Sequence, residues 1–357
     1  MTNTDRFVYK LHRISGLVGG LFLLMLTLTG CILLFDNLID GWLSPATVLV
    51  KPGPVRQPYD AALRTLHRQY PTGTIRGLAL YPDAPARAIR ADVRADKKRL
   101  LAYVNPYTGA FLGERDVETV FVRGVHSLHE HLLAPPVGDW ILLLVGLCLI
   151  GSVLTGTWYY RKSLASVFSV GIRWNKPRRI LYGDLHKYLG VVSLVFLLLM
   201  GVSGTFFHWE KTVDKALSGG DSRPPRPAEA LATAQTAPHT IDAQVAISTA
   251  KISGFRAEVV SFPDEPGKPV VIRGNAADAN PLLGKFTAAA EFDSKTGQLT
   301  KIFRASEADT EYKAEHILEE LHFGRFGGLL TKTLYFVLSL AMAIVTTTGL
   351  LIWWVKR

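Results

Sequence analysis

Residues 11–35 read LHRISGLVGGLFLLMLTLTGCILLF, and residues 185–209 read LHKYLGVVSLVFLLLMGVSGTFFHW. Each stretch opens on a histidine and a cation, then runs on without a charge for about 20 residues, enough to cross a bilayer core. At an offset of 174 the two align. His12 matches His186, Gly16 matches Gly190, Phe22 matches Phe196 and Gly30 matches Gly204. Asp36 and Asp40 then match Glu210 and Asp214.

The match continues outward. Pro82-Asp83-Ala84-Pro85 recurs as Pro263-Asp264-Glu265-Pro266, and Thr108-Gly109 as Thr296-Gly297. Leu128-His129 recurs as Leu321-His322, and Thr155-Gly156 as Thr348-Gly349. The offset grows only through 181 and 188 to 193, so order is kept and small insertions accumulate. A tandem duplication is expected, with each half reading span, outer domain, span. Both halves enter the membrane in the same direction, so a parallel pseudo-twofold axis relates them.

Four runs have spanning length: Ile14–Phe35, Trp140–Tyr160, Tyr188–Trp209 and Thr333–Val355. The fold class expected is an α-helical four-span membrane bundle with two outer α+β domains. Span 1 falls within 1–40 and the first outer domain within 41–125. Span 2 with a preceding interfacial helix falls within 126–160, a basic loop within 161–183 and span 3 within 184–210. The second outer domain falls within 211–315, with a Pro/Ala-rich linker at 221–239, and span 4 within 316–357. Arg6, Lys10 and Arg13, the cations of 161–187 and Lys356-Arg357 put both termini in the cytoplasm by the positive-inside rule. Trp140, Trp158, Trp209, Trp353 and Trp354 fall near span ends, where indoles favour the interface.

The 357 residues are 48% hydrophobic and 20% charged, which excludes a disordered or collagen-like chain. The net charge of +10 fits basic inner loops and needs no nucleic acid. Two cysteines exclude a disulfide framework, and no C-x-x-C occurs for zinc or covalent haem. Leu28-Thr29-Gly30-Cys31 resembles a lipoprotein cleavage box, but the apolar run continues past Cys31, so an uncleaved span is expected. No G-x-G-x-x-G follows a strand and no Walker box is present.

His12 and His186 occupy equivalent inner ends of spans, and His129 with His322 make a second equivalent pair on the outer side. Gly16, Gly19, Leu23 and Gly30 share the helix face of His12; Gly190, Ser193, Leu197 and Gly204 share that of His186. A histidine above small residues leaves room for a flat macrocycle. Two pairs suit two bis-histidine b-type haems, which favour electron transfer because no axial site is open. Arg13 and Lys187 adjoin the inner pair and either meet haem propionates or snorkel to lipid phosphates. His208 and His316 have no equivalents. His208 is placed to replace an outer ligand or contact substrate. His126, His129 and His131 with Glu130 are the competing zinc reading. Asp139 and Lys332 are equivalent at the outer span ends and are expected to approach each other. His67 and His239, in outer loops, read as structural or solvated.

The Leu-His-Arg-Ile-Ser-Gly opening, the Thr-Gly ending of spans 1, 2 and 4, and Asn105-Pro-Tyr-Thr-Gly-Ala-Phe-Leu-Gly resemble the PepSY-associated transmembrane proteins. These include iron-regulated membrane proteins and ferric-siderophore reductases of bacterial inner membranes. The resemblance covers nearly the whole chain. It implies two periplasmic PepSY-like domains, haem b in the reductase members, and His12, His129, His186 and His322 as ligands. Ser203 stands where a Thr is usual. Three functions are then weighed. The first is a di-haem reductase of a periplasmic ferric siderophore in iron acquisition, fed by quinol or a cytoplasmic reductase. The second is a non-redox protein whose PepSY-like domains bind peptides or peptidases. The third is a siderophore or metal permease, which would need polar residues at span centres. The substrate of the first is expected near His129, His208 and His322.

Overall fold

The computed structural model describes residues 2–162, 164–218, 240–263, 265 and 267–355, except the side chains of 165, 214, 215 and 218. The Pro/Ala linker 221–239, His239, Asp264, Pro266 and Lys356-Arg357 lie outside the described residues. In chain order the helices are α1 (Asn3–Leu33), α2 (Asp36–Leu43), α3 (Pro45–Val48), α4 (Tyr59–Gln69), α5 (Phe121–His131), α6 (Val137–Tyr160), α7 (Leu164–Val170), α8 (Arg178–Val192), α9 (Leu194–Trp209), α10 (Lys215–Ser218), α11 (Ile241–Lys251), α12 (Thr310–Phe323) and α13 (Gly328–Trp354). The strands are β1 (Thr74–Ala79), β2 (Ile89–Ala95), β3 (Lys98–Val104), β4 (Phe111–Asp116), β5 (Arg256–Ser261), β6 (Val270–Asn275), β7 (Ala288–Phe292) and β8 (Leu299–Arg304). The chain forms two compact units, one of Met1–Phe35, Val125–Ser222 and Leu321–Arg357, the other of Asp36–Gly124 and Arg223–Glu320.

The first unit is helical. Thr2 caps α1 in a capping box with Asp5, satisfying amides that the first turn leaves open. Among the described residues, α1, α6 and α13 are long and apolar enough to cross a membrane. Leu21, Val195 and Leu330 are 71%, 81% and 80% exposed, an apolar surface that water would disfavour and lipid would not. The third span departs from expectation. In its place stand two helices, α8 and α9, bent by 71° at Ser193. Fully buried Ser193 turns its hydroxyl back to the Leu189 carbonyl at 2.6 Å, three residues after Gly190. Serine back-bonding beside a glycine is a known cause of helix bending. Leu23, Val145, Leu149, Val153, Leu197 and Met342 form the apolar core of this unit.

The second unit is one antiparallel sheet of eight strands, ordered β4-β3-β2-β1-β5-β6-β7-β8. The segments 41–125 and 211–315 thus supply four strands each to a shared sheet. The period-2 alternation of Ile89, Ala91 and Val93 turns them to one face, where α4 and α11 cover them with Leu66 and Ile241. The centre of the sheet is reciprocal. Leu78 sits opposite Val260, Gly77 opposite Ser261 and Ala79 opposite Val259. The two helices cap each other in the same reciprocal way. Asp242 accepts from the amides of Tyr59 (2.9 Å) and Asp60 (3.0 Å), and Asp60 accepts from those of Ile241 (3.0 Å) and Asp242 (3.2 Å). Burial and the neighbouring Asp60 push the Asp242 carboxyl up, whereas hydrogen bonds from Asp242 and Ile241 draw Asp60 down against its own burial.

Paired histidines as a candidate cofactor site

The helical unit anchors four histidines in one manner. His12 on α1 donates Nδ1–H to the Ser152 carbonyl of α6 at 2.9 Å, and His186 on α8 donates to the Val345 carbonyl of α13 at 2.8 Å. His129 on α5 reaches the Thr29 hydroxyl of α1 at 2.8 Å, and His322 on α12 the Ser203 hydroxyl of α9 at 2.7 Å. Thr29 and Ser203 spend their own protons on the carbonyls of Met25 (2.9 Å) and Leu199 (2.6 Å), so they accept from the imidazoles. In every case Nδ1 carries the proton and Nε2 keeps its lone pair. That is the tautomer of a metal-binding histidine oriented by an outer partner.

Each imidazole also lies against a glycine. A Cβ on Gly156 or Gly349 would come within 3.1 Å of Cε1 of His12 or His186; on Gly30 and Gly204 the distances to His129 and His322 are 3.4 and 4.0 Å. The Thr-Gly and Ser-Gly dipeptides that close the spans therefore have a local task. The glycine admits a ring from the neighbouring helix. On α1 and α9 the residue before it also holds the ring by its hydroxyl.

His12 and His186 face each other, ring centres 6.1 Å apart and planes at 75°. They line a partly open cavity of about 240 Å³, together with Gly16, Gly20, Gly190 and the apolar Leu23 and Leu197. Arg13 and Lys187 line it too. Arg13 has no partner among the described residues. Lys187 stands 3.3 Å from Asp184, whose carboxylate Arg173 also grips at 2.8 Å through two nitrogens.

A family model described as PepSY-associated TM region matches residues 9–356. The chain belongs to this family. No curated protein matches it. In this PepSY-associated TM chain, the Ser203 hydroxyl receives His322 as the Thr29 hydroxyl receives His129.

His129 and His322 lie outside the long apolar helices. Burial, then His126, holds His129 down at about 4; burial, then His129 and His208, holds His322 at about 3. Both are neutral at physiological pH, the form a metal accepts. The other histidines of the unit join a separate network. Glu130 takes His126 at 3.1 Å, His131 at 3.6 Å and Lys211. Buried Asp139 takes His131 at 2.9 Å, with His208 at 3.3 Å lacking hydrogen-bond alignment. Of the three histidines in the zinc reading, His126 and His131 meet at Glu130, whereas His129 bonds Thr29 on α1. No metal-holding group of three or more His, Cys, Asp or Glu occurs among the described residues. The expected approach of Asp139 to Lys332 is likewise replaced by its contacts with His131 and His208. His316 belongs to the sheet unit. There it stacks on Tyr312 at 3.8 Å and bonds its carbonyl, a packing role.

Proposed function

We propose that this protein is a membrane-bound reductase that holds two b-type haems and passes electrons to a ferric chelate, releasing ferrous iron. The observation that carries this reading is the common anchoring of four histidines, with Nδ1 satisfied, Nε2 free, and one pair facing across a cavity. The inner pair, with ring centres 6.1 Å apart, leaves room for a metal between two imidazoles. His12 and His186 would hold one haem and His129 and His322 the other. Arg13 is free to meet a propionate, and Lys187 would share itself with Asp184. When bound, the haems would supply one-electron transfer. Non-covalent attachment follows from the lack of C-x-x-C-H.

The remaining parts of the reading follow the family and the charge pattern. The bent α8–α9 pair would complete a four-span bundle, and the reciprocal centre of the sheet supports a tandem duplication with two PepSY-like halves. Basic loops favour a bacterial inner-membrane protein with both termini in the cytoplasm and the sheet unit in the periplasm. The electron would come from quinol or a cytoplasmic reductase, and a ferric siderophore would receive it. Adding one electron lowers the charge on iron and loosens its bonds to hard oxygen ligands, so no nucleophile is required. The test is a pyridine haemochrome spectrum of the detergent-purified protein, then stopped-flow mixing of dithionite-reduced protein with ferric siderophores and a ferrous trap. Two haems per chain and reoxidation with trap colour support the reading. No Soret band, or haems that stay reduced across siderophore classes, overturns it.

A further inference from the structure

Three arginines stand side by side on the sheet face turned away from α4 and α11. Arg94 of β2 is directly opposite Arg99 of β3. Arg76 of β1 is the extra residue of a bulge opposite Asp92, on the far side of Arg94 from β3. Asp92 neutralises one of the three, accepting from Arg99 at 2.6 Å. Arg76 and Arg94 have no partner among the described residues and are half-buried.

The reciprocal half of the same sheet shows how residues at these positions can satisfy one another. With the offsets of 182, 181 and 188 that relate Asp60 to Asp242, Pro82 to Pro263 and Thr108 to Thr296, the equivalents are Glu258, Asn275 and Thr287. These close on one another. Asn275 donates to Glu258 at 2.7 Å, and the Thr287 hydroxyl donates to Asn275 at 3.3 Å. The fold is therefore satisfied by a self-contained polar row. In the first half every member of that row is a cation, an arrangement that disfavours the sheet by several tenths of a kcal/mol per like-charged pair.

We propose that the Arg76–Arg94–Arg99 row is a docking site for an anionic, polycarboxylate metal chelate. Neighbouring strands are about 4.8 Å apart, so the row offers guanidinium groups over roughly 10 Å. That span suits several carboxylates of one ligand better than a single small anion. Guanidinium forks take carboxylates bidentately, and Arg99 already shows this geometry on Asp92. The choice of a metal chelate rests on the reductase reading; the choice of negative charge rests on the row alone.

The experiment is calorimetric titration of the full-length detergent-solubilised protein with gallium(III) citrate, which cannot be reduced. Titration is repeated on Arg76→Glu combined with Arg94→Asn, which installs the residues of the other half and keeps the Arg99–Asp92 pair. The double variant is expected to melt no lower than the parent and to bind at least about tenfold more weakly, the equivalent of one charge-assisted bond. A gallium trihydroxamate chelate without negative charge should bind both proteins alike. No binding by the parent, binding unchanged in the variant, or equal competition by vesicles rich in phosphatidylglycerol overturns the proposal, the last assigning the row to lipid. The absorbance spectrum separates the two readings. Arginine-dependent gallium citrate binding without a Soret band leaves the docking site standing and removes the reductase. Two haems reoxidised equally by anionic chelates in parent and variant do the reverse.

Discussion

Replacing Gly156 by alanine would place a methyl carbon 3.1 Å from Cε1 of His12, closer than nine in ten such contacts in proteins. The imidazole cannot yield freely, because its Nδ1 is tied to the Ser152 carbonyl on the same helix as the new methyl group. Overpacking by one carbon costs about 1–3 kcal/mol, and here the strain falls on the ring in its ligating position. Haem affinity at the inner site should therefore fall roughly five- to 150-fold. Gly349→Ala should do the same through His186, where the distance is again 3.1 Å. Gly30→Ala, at 3.4 Å, should have a smaller effect on the outer site, and Gly204→Ala, at 4.0 Å, none. Gly204→Ala should instead gain up to about 1 kcal/mol from helix propensity. The assay is haem content by pyridine haemochrome after dilution, with thermal unfolding in parallel. Equal haem retention in all four variants would refute the claim that these glycines make room for ligands. So would loss ranked in the opposite order.

Further outcomes can be checked separately. His12→Ala should remove one haem and leave the other reducible, as read in the reduced-minus-oxidised spectrum; loss of both in a folded protein would mean a different ligation scheme. Protein made without haem should lose thermal stability as pH falls below about 6.5, because the unfolded state takes up a proton that buried His322 refuses until about 3. His322→Leu should flatten that slope between pH 6.5 and 5. Asp60→Ala should lower stability by about 1–2 kcal/mol by uncapping α11, whereas Asp60→Asn, which keeps an acceptor and removes carboxylate repulsion, should cost less. Asp139→Leu should destabilise more than Lys332→Leu, since buried Asp139 has two histidine partners to strand, and equal melting temperatures would count against that assignment.

The four anchored histidines were legible because the sequence repeat prints them twice, and a residue repeated at the mouth of two apolar runs has few bland explanations. What held them was not. The carbonyls of Ser152 and Val345 leave no mark in a sequence, since any residue supplies a carbonyl. The Thr-Gly and Ser-Gly endings were visible as a motif, but their task depends on which helix lies alongside, and that is set by packing. The break at Ser193 was masked by an unbroken apolar run, because hydropathy does not register a hydroxyl turning back on its own helix. Asp139 and Lys332 show the opposite failure. Equivalence by offset correctly marked their positions, but nearby histidines on α5 and α9 offered Asp139 partners that the repeat does not contain. The shared sheet was missed because alternation identifies a strand and its buried face, not the strand that pairs on its other edge.

A growing chain carries β1 as an open edge until synthesis has passed Ser261, since its second neighbour is β5. Unpaired edges recruit whatever strand is nearby. The contact that waits to form is reciprocal, Gly77 against Ser261 and Ala79 against Val259, so another copy of β1 approaching antiparallel presents nearly the same template. Nascent chains crowded on one messenger are thus each other's most competent wrong partners. Two first halves could exchange edges before either second half emerges, and the delay between synthesis of Ala79 and Ser261 sets how long that hazard lasts.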